Sequence, residues 1–249
     1  MTPASIEWID SCDSTNTLLK QRGDTAPHGH TLAACEQTAG RGQRGNTWEA
    51  EAGKNLTFSM MLRPTALPAA RQFDLSMLTS LAILTVLKSR LGADARLSLK
   101  WPNDIYAGDR KLGGILIEGC ISGGMLQYMV LGVGINVNQT HFVSDAPNPV
   151  SMAQIAGHDF DSQALLQDIV GEIVDQMAVY EEEPASEQLQ AIYMQNLWRR
   201  EGFHPYRDAA TGERFEAEIA GVLPDGRLRL RLAGGGERDY EFKQVAAII

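Results

Sequence analysis

Residues 36–48 read E-Q-T-A-G-R-G-Q-R-G-N-T-W, and residues 40–45 within them fit the G-x-G-x-x-G pattern of a dinucleotide-binding loop. In a dinucleotide-binding fold such a loop turns directly into a helix, because the free amides at the helix N-terminus hold the pyrophosphate. Here Gly53 and Asn55 interrupt the residues that follow, and the β-rich run N-L-T-F-S-M-M-L-R (55–63) comes next. The acidic ribose-binding residue expected about 20 positions further on is also missing. The stretch therefore predicts a glycine-rich loop between two strands, and it disfavours a nicotinamide-dependent oxidoreductase.

Runs of β-forming residues follow one another through the first part of the chain, and tight turns separate several of them. Successive strands joined by tight turns pair as antiparallel neighbours. We therefore predict a mixed, largely antiparallel sheet. The runs comprise residues 31–37, 55–63, 96–107, 111–119 and 126–138.

Helical signals lie between and after these runs. In 69–91 and in 165–177, apolar residues recur every three or four positions, which is typical of a helix with a buried face. Residues 14–17 (S-T-N-T) offer side chains that can cap a short helix, and Pro184 precedes a further helical segment that extends to Leu197. We expect the two later helices to cover one face of the sheet, which makes the fold α+β.

Beyond residue 200 the pattern changes to short β runs separated by turns. L-R-L-R-L (228–232) alternates apolar and charged residues, which places alternate side chains on opposite faces of a strand. Four or five such strands in a segment of this length favour a small β-barrel. We therefore expect two domains, one over residues 1–200 and a small barrel over residues 201–249.

Composition and charge exclude several classes of protein. The 249-residue chain has a formal net charge of −9, which disfavours a broad electrostatic grip on nucleic acid or on a membrane surface. Its longest apolar stretch, around residues 81–87, is far shorter than a membrane span, and its first residues lack the features of a signal peptide. The three cysteines are far apart and lack the spacing of a disulfide framework or a zinc site. We expect a cytoplasmic protein with no nucleic-acid or membrane partner.

Three further features bear on chemistry, and each has a plain structural alternative. Arg41, Arg44 and Lys54 add three positive side chains to the glycine-rich segment, so it either meets anions or is a mobile surface loop with incidental charges. K-W-P-N-D (100–104) presents the ammonium of Lys100 together with Asn103 and Asp104, whose oxygens suit Mg²⁺, although such an Asn-Asp pair also bonds to its own turn. The glycine pairs near Lys111 and in G-V-G-I-N (132–136) let something approach the strands closely, or else mark β-bulges.

Taken in order, five motifs closely resemble those of the biotin protein ligases. They are S-T-N-T (14–17), E-Q-T-A-G-R-G-Q-R-G-N-T-W (36–48), K-W-P-N-D (100–104), D-R-K-L-G-G-I-L-I-E (109–118) and G-V-G-I-N (132–136). The resemblance implies a catalytic domain like that of class II synthetases and an SH3-like C-terminal barrel. It also implies that biotin and ATP, with Mg²⁺, form biotinyl-5'-AMP, and that the biotinyl group then passes to one lysine of a biotin carboxyl carrier protein.

The same resemblance assigns roles to individual residues. Lys111 matches the family's catalytic lysine, and Arg41 is expected to act with it. Asp104 is expected near the metal. The biotin-binding residues it implies are Ser14, Thr15, Asn16, Gln37, Gly40, Arg41, Gly42, Gln43, Lys111, Gly113, Gly114, Gly132 and Gly134. The nucleotide-binding residues it implies are Arg44, Trp48, Asn103 and Asn136.

Two points distinguish this chain within the resemblance. Where the family usually has an arginine, Gln43 brings no charge, so the loop is expected to retain the adenylate more loosely unless Arg44 substitutes. Only 13 residues precede Ser14, so we expect the monofunctional type that lacks a DNA-binding domain. A homodimer is one of the assemblies that the sequence leaves open.

Two alternatives to a biotin ligase remain. A lipoate-type ligase also makes an acyl adenylate, but its arginine-rich glycine motif with a nearby histidine is not found here. A non-catalytic biotin-binding regulator would keep the pocket but lose the catalytic lysine or gain a DNA-binding module, whereas Lys111 is present.

Overall fold

The structure is a computed structural model that describes residues 5–65, 67–143 and 148–249, with the side chains of Asp24 and Arg44 outside the description. Two sheets and five α-helices organise these residues. Among them, no helix has both the length and the apolar character that crossing a membrane requires.

The larger sheet has seven strands in the order β1-β2-β3-β7-β6-β5-β4. Within the described ranges, β1 and β2 are parallel and every other neighbouring pair is antiparallel, which confirms the mixed, largely antiparallel sheet. The strands are β1 (Ile6–Cys12), β2 (Thr31–Gln37), β3 (Leu56–Leu62), β4 (Leu97–Lys100), β5 (Asp104–Ala107), β6 (Arg110–Ser122) and β7 (Met125–Ile135).

Two strand predictions need correction. The run 96–107 is two strands, because the turn at 101–103, with a cis Trp101–Pro102 peptide, separates β4 from β5. Proline has no backbone N–H to give to the ladder, which makes this a natural break. Strand β1 was not predicted at all. It lies at the edge of the sheet and is only partly buried, so its sequence lacks a clear apolar alternation.

The helices lie where the sequence patterns predicted, apart from one short addition. They are α1 (Thr15–Arg22), α2 (Gln72–Leu91), α3 (Met152–Ala156), α4 (Ser162–Glu182) and α5 (Ser186–Gln195). The unpredicted helix α3 has a single turn, starts with a capping box at Ser151 and is too short to show a helical period. Helix α2 packs against α4, α5, β4 and β6, and α1 packs against β2, β3 and β7.

The central strands β3 and β7 divide their side chains between two environments. Phe58 and Met60 on β3, and Leu131 and Val133 on β7, belong to the main hydrophobic core. Met61 of β3 points the other way and packs with Leu19 of α1 in a second, small cluster. Because side chains alternate along a strand, Thr57, Ser59, Gly132 and Gly134 share the face on which α1 lies. This face is less apolar than the core face, and it forms part of the candidate site.

The smaller sheet has the order β11-β10-β9-β8-β12, and all its pairs are antiparallel. Its strands are β8 (His204–Asp208), β9 (Arg214–Val222), β10 (Leu228–Leu232), β11 (Glu237–Tyr240) and β12 (Val245–Ala247). This confirms a small antiparallel unit at the predicted place, whereas no pairing closes it into a barrel among the described strands. Its apolar side chains, including Ala217 and Val222, are continuous with the main core.

Asp74 of α2 ties three helices together from a buried position. Its side chain is 2% exposed and accepts hydrogen bonds from Arg71 (3.0 Å), from Tyr180 of α4 and from Ser186 of α5 (2.9 Å). A buried carboxylate is tolerated when its lone pairs are used in this way.

We expect Asp74→Ala to reduce the free energy of unfolding by about 2–4 kcal/mol, because it leaves buried donors without an acceptor. Urea denaturation measures this change. The matched control is Asp168→Ala on α4, since Asp168 pairs with Arg90 at the surface and its loss should cost about 0.5 kcal/mol or less. Equal losses in the two variants would contradict the structural role of Asp74.

Candidate functional site

A cavity of about 1050 Å³ lies on the α1 face of the larger sheet. The glycine-rich loop covers one side, the N-terminal end of α1 and the strands β3, β6 and β7 form the floor, and the turn at 100–104 forms another side. Side chains of the smaller sheet complete the wall, including Tyr206, Phe242 and Val245. Both sheets therefore contribute to one cavity.

A chain of hydrogen bonds runs across the floor. The Oε1 atom of Gln37 accepts from the backbone N–H (2.7 Å) and the hydroxyl (3.0 Å) of Thr15. The Thr15 hydroxyl lies 2.7 Å from that of Ser59, and Ser59 donates to Oδ1 of Asn16 (2.5 Å). Ser14 caps α1 by accepting from the backbone of Thr17, which orients the residues that follow it. The floor is thus a preorganised row of polar groups in an otherwise buried surface.

Charged groups in and beside the cavity wall include two ion pairs. The ammonium of Lys111 is 2.6 Å from a carboxylate oxygen of Asp104 and lies 5.7 Å from the ring centroid of Trp48. On the other side, the guanidinium of Arg41 forms two hydrogen bonds with Glu118, at 3.0 and 3.2 Å. The pair can offer the ammonium of Lys111 to an incoming anion, and the carboxylate of Asp104 to a metal ion that accompanies the anion.

The glycines on β7 provide space for side chains of this chain. A Cβ atom on Gly132 would lie 2.2 Å from Oδ1 of Asn16, and one on Gly134 would lie 2.4 Å from the indole of Trp48. The pairing of β7 with β3 and with β6 is regular at both positions, so a bulge does not explain this pair. Gly113 differs, because the register of β5 and β6 shifts beside it and the bulge explanation holds there.

One polar atom of this wall has no partner. The indole N–H of Trp48 is buried and makes no hydrogen bond within the described part of the chain. Buried donors are nearly always satisfied in proteins, so this atom is suited to a bound acceptor.

The comparisons with known proteins agree with this geometry. A model described as the biotin/lipoate A/B protein ligase family matches residues 8–136, which is just over half of the chain. The chain belongs to this family.

Individual members of the family show how far the likeness extends. The bifunctional ligase/repressor BirA of Escherichia coli is 35% identical over 180 residues, 72% of this chain and 55% of that protein. The biotin–[acetyl-CoA-carboxylase] ligase of Paracoccus denitrificans is 36% identical over 160 residues, 62% of this chain and 65% of that protein. The chain spans about half the length of several of the curated relatives it matches.

A solved structure of a family member shares the fold over nearly the whole chain. The biotin protein ligase from Aquifex aeolicus, in complex with biotin and ATP, superposes with a TM-score of 0.79 at 22% identity and covers 98% of each chain. At this identity the likeness supports the fold alone, including the α+β class and the smaller C-terminal sheet.

Most of the site residues that the family resemblance implies meet in the cavity wall. They are Ser14, Thr15, Asn16, Gln37, Arg41, Gly42, Gln43, Trp48, Asn103, Asp104, Lys111, Gly114, Gly132 and Gly134. Gly40 and Gly113 lie behind the wall, where a Cβ atom would meet the carbonyls of Trp48 and Gly134. The side chain of Arg44 lies outside the described part of the structure.

Two residues that were predicted to bind the nucleotide form hydrogen bonds with the protein backbone in this structure. Asn136 is 4% exposed, and its amide donates to the carbonyls of Val150 (3.1 Å) and Lys111 (3.4 Å) rather than lining the cavity. The amide of Asn103 donates to the carbonyl of Ile115 (2.7 Å), which holds the turn that presents Asp104. Their contacts with a nucleotide stay predictions.

Two residues at the site, Ser59 and Glu118, were given no role from the sequence, and Lys100 was singled out only as the ammonium within K-W-P-N-D (100–104). Ser59 and Glu118 are polar residues within apolar strand runs, a signal that strand alternation makes readable. Lys100 lines the wall, donates to the hydroxyl of Tyr106 (3.0 Å) and has a lowered pKa because of burial, with a further contribution from Arg199. The part of the wall made by the smaller sheet had no sequence signal.

The donor set suits Mg²⁺ only as part of a metal–nucleotide complex. Among residues 5–65, 67–143 and 148–249, no cluster of three or more histidine, cysteine or acidic side chains is placed to hold a metal. Asp104 is the single carboxylate in the described wall. Mg²⁺ is commonly bound by one or two carboxylates together with substrate phosphates and water, so one such residue is compatible with this arrangement.

We expect Gly134→Ala to displace Trp48, because the added methyl group overlaps the indole. Tryptophan emission should shift to longer wavelength, and the free energy of unfolding should fall by about 1–3 kcal/mol. Gly221→Ala on β9 is the matched strand control, since nothing lies within 4 Å of its Cβ position. An unchanged emission spectrum in Gly134→Ala would contradict the close packing of Trp48 on β7.

Proposed function

We propose that this protein activates biotin with ATP to biotinyl-5'-AMP, and then transfers the biotinyl group to a lysine of a biotin carboxyl carrier protein. The observation that carries the proposal is the arrangement of the cavity. A polar floor at Asn16 and a cation at Lys111 lie in one cavity beside the glycine-rich loop. Membership of the biotin/lipoate family limits the reaction class, and relatives named as biotin ligases favour biotin.

The floor is suited to the ureido ring of biotin. This ring presents two N–H donors and one carbonyl acceptor on a small, otherwise apolar body. Hydroxyl and amide groups of Thr15, Asn16 and Ser59 can supply the complementary acceptors and donors. Since these groups already hold one another in place, binding requires little further ordering.

Lys111 addresses the main electrostatic difficulty of the first step. A carboxylate and a triphosphate repel each other, and at an effective dielectric of about 20 each pair of unit charges about 4 Å apart costs about 4 kcal/mol. A partly buried ammonium can offset this repulsion and stabilise the charge that develops on the α-phosphate. We place Asp104 as the ligand for Mg²⁺, which would supply further positive charge when it is bound with the nucleotide.

Transfer of the biotinyl group, the second step, takes place in the same cavity. The acyl adenylate is a mixed anhydride that water hydrolyses, so the loop over the cavity protects it. The acceptor lysine, whose free pKa is about 10.4, must attack as the neutral amine. The positive charge of Lys111 opposes its protonated form. The bond from the biotinyl carbonyl to phosphate then breaks, AMP leaves, and an amide forms.

We also propose two features of organisation. Residues 201–249 act as a second domain that supplies one wall of the cavity, because Phe242 and Val245 line it. The reaction belongs in the cytoplasm, where ATP is available and the free cysteines Cys12, Cys35 and Cys120 stay reduced.

The decisive experiment is ATP–pyrophosphate exchange with biotin, with lipoate or with neither acid. We expect exchange that depends on biotin, because only a bound carboxylate can form the adenylate and return it. Exchange with lipoate alone would identify a lipoate-type ligase. Biotin binding by calorimetry without exchange would identify a non-catalytic regulator, and either result would overturn the proposal.

We expect Lys111→Ala to lower the rate of biotin-dependent exchange by about 10²- to 10³-fold, the usual effect of removing a group that stabilises transition-state charge. The fold should persist, since the Lys111 side chain is partly exposed at 28%. Lys54→Ala is the control, because Lys54 is an exposed lysine just after the loop and does not line the cavity. Parent-like exchange by Lys111→Ala would remove Lys111 from its assigned role.

A further inference from the structure

Glu118 of β6 joins parts of the site that are far apart in sequence. Its carboxylate accepts two hydrogen bonds from Arg41 of the glycine-rich loop (3.0 and 3.2 Å) and one from the amide of Asn16 on α1 (3.3 Å). Lys20 of α1 lies 3.6 Å away. Burial alone would raise the pKa of Glu118, but the hydrogen bonds from Asn16 and Arg41, together with the positive charges of Lys20 and Arg41, outweigh this effect and hold the pKa below its usual value. Glu118 is therefore an ionised hub between the loop and the floor.

The contact with Glu118 changes what Arg41 can do. A guanidinium that is paired in a bidentate manner with a carboxylate forms a nearly neutral unit. Such a unit contributes little to neutralising a second anion. Arg41 is also 45% exposed, with its remaining contact to the hydroxyl of Thr17 (3.4 Å). The geometry thus gives Arg41 a partner on the sheet rather than an open charge directed at the cavity.

The loop that carries Arg41 is internally bonded, so it can move as one unit. The backbone of Gly42 bonds to Asn46 (2.7 Å), and that of Trp48 bonds to Gly40 (2.9 Å). Arg41 and Thr47 form an antiparallel bridge between these two bonds. Holding Arg41 in place therefore also holds Trp48 against Gly134, where its indole covers the cavity.

The floor is connected to the same hub. The amide of Asn16 donates to Glu118, while its carbonyl oxygen accepts from Ser59. The chain continues through Thr15 to Gln37. A ligand that binds Asn16 therefore contacts a residue that is hydrogen-bonded to Glu118, and Glu118 in turn binds Arg41 of the loop.

We infer that Glu118 is a positioning residue that clamps the closed glycine-rich loop through Arg41, and that Arg41 acts through this clamp rather than as a cation on the reacting phosphate. This inference rests on the proposed function for the identity of the retained intermediate, biotinyl-5'-AMP. It replaces the direct catalytic role that the family resemblance suggests for Arg41.

A double-mutant cycle tests the clamp. Glu118→Gln, Arg41→Gln and the double variant are each loaded with biotin and ATP, and the release of biotinyl-5'-AMP is timed. Each single variant should release it about three- to tenfold faster than the parent, as expected for a partly exposed, charge-assisted pair. The double variant should release it no faster than the singles, because both substitutions break the same contact.

The rate of pyrophosphate exchange separates the clamp from direct catalysis. If Arg41 works only through Glu118, the two single variants should lower exchange to the same extent. A loss in Arg41→Gln at least tenfold greater than that in Glu118→Gln, or additive effects in the double variant, would overturn the inference. Lys20→Gln is the matched control, since Lys20 contacts Glu118 without belonging to the loop or the cavity wall, and its release rate should stay within about twofold of the parent.

A second readout does not depend on the reaction. Chymotrypsin cleavage after Trp48, identified by the masses of the fragments 1–48 and 49–249, reports opening of the loop in the ligand-free protein. Cleavage should be about three- to tenfold faster in Glu118→Gln and in Arg41→Gln than in the parent or in Lys20→Gln. Equal cleavage in all four proteins would refute the clamp. Failure of the parent to make any adenylate would instead refute the proposed function and leave this test intact.

Discussion

The two-residue repeat of the central strands is the constraint on which the site depends. One face of β3 and β7 must be apolar to pack into the main core, as Phe58 and Leu131 do. The opposite face is then free to carry small and polar residues, and Ser59, Gly132 and Gly134 occupy it. A shift of one residue in the pairing of β3 with β7 would exchange these faces. The large core beneath the sheet therefore stabilises the register that keeps the polar floor in place.

Positive side chains are concentrated at the site, although the protein as a whole has a net charge of −9. Two of the cations in and beside the cavity are paired with carboxylates, Lys111 with Asp104 and Arg41 with Glu118, whereas Lys100 donates to the hydroxyl of Tyr106. Pairing reduces the cost of holding like charges together in a partly buried space before an anion arrives. The two pairs differ in their surroundings. Lys111 lies beside the aromatic wall at Trp48, whereas the pair at Glu118 is connected to the loop and to the floor.

Close packing between the loop and the sheet explains the glycines better than flexibility does. A side chain at Gly132 would overlap Asn16, and a side chain at Gly134 would overlap Trp48. In this structure the approach that they permit is that of protein side chains, and these side chains in turn shape the cavity. An alanine at either position would move a group that lines the site, although it lies in the middle of a regular strand.

The main strands and the long helices could be predicted from the sequence, and the five motifs could be recognised in it, because these features depend on local periodicity, turns and glycine spacing. The resemblance to the biotin protein ligases implied residues 14–16, the loop and Lys111 as site residues, and the structure brings them into one cavity. Short or marginal elements were not predicted from the sequence: β1 lies at a sheet edge, and α3 has one turn, so neither shows a repeat long enough to read. Three contacts became visible only in the folded protein: the amide of Asn136 bonds to the backbone of residues 111 and 150, the second sheet completes the cavity wall, and Glu118 binds Arg41. These contacts join residues distant along the chain, and no local pattern encodes which distant partner a polar side chain will meet.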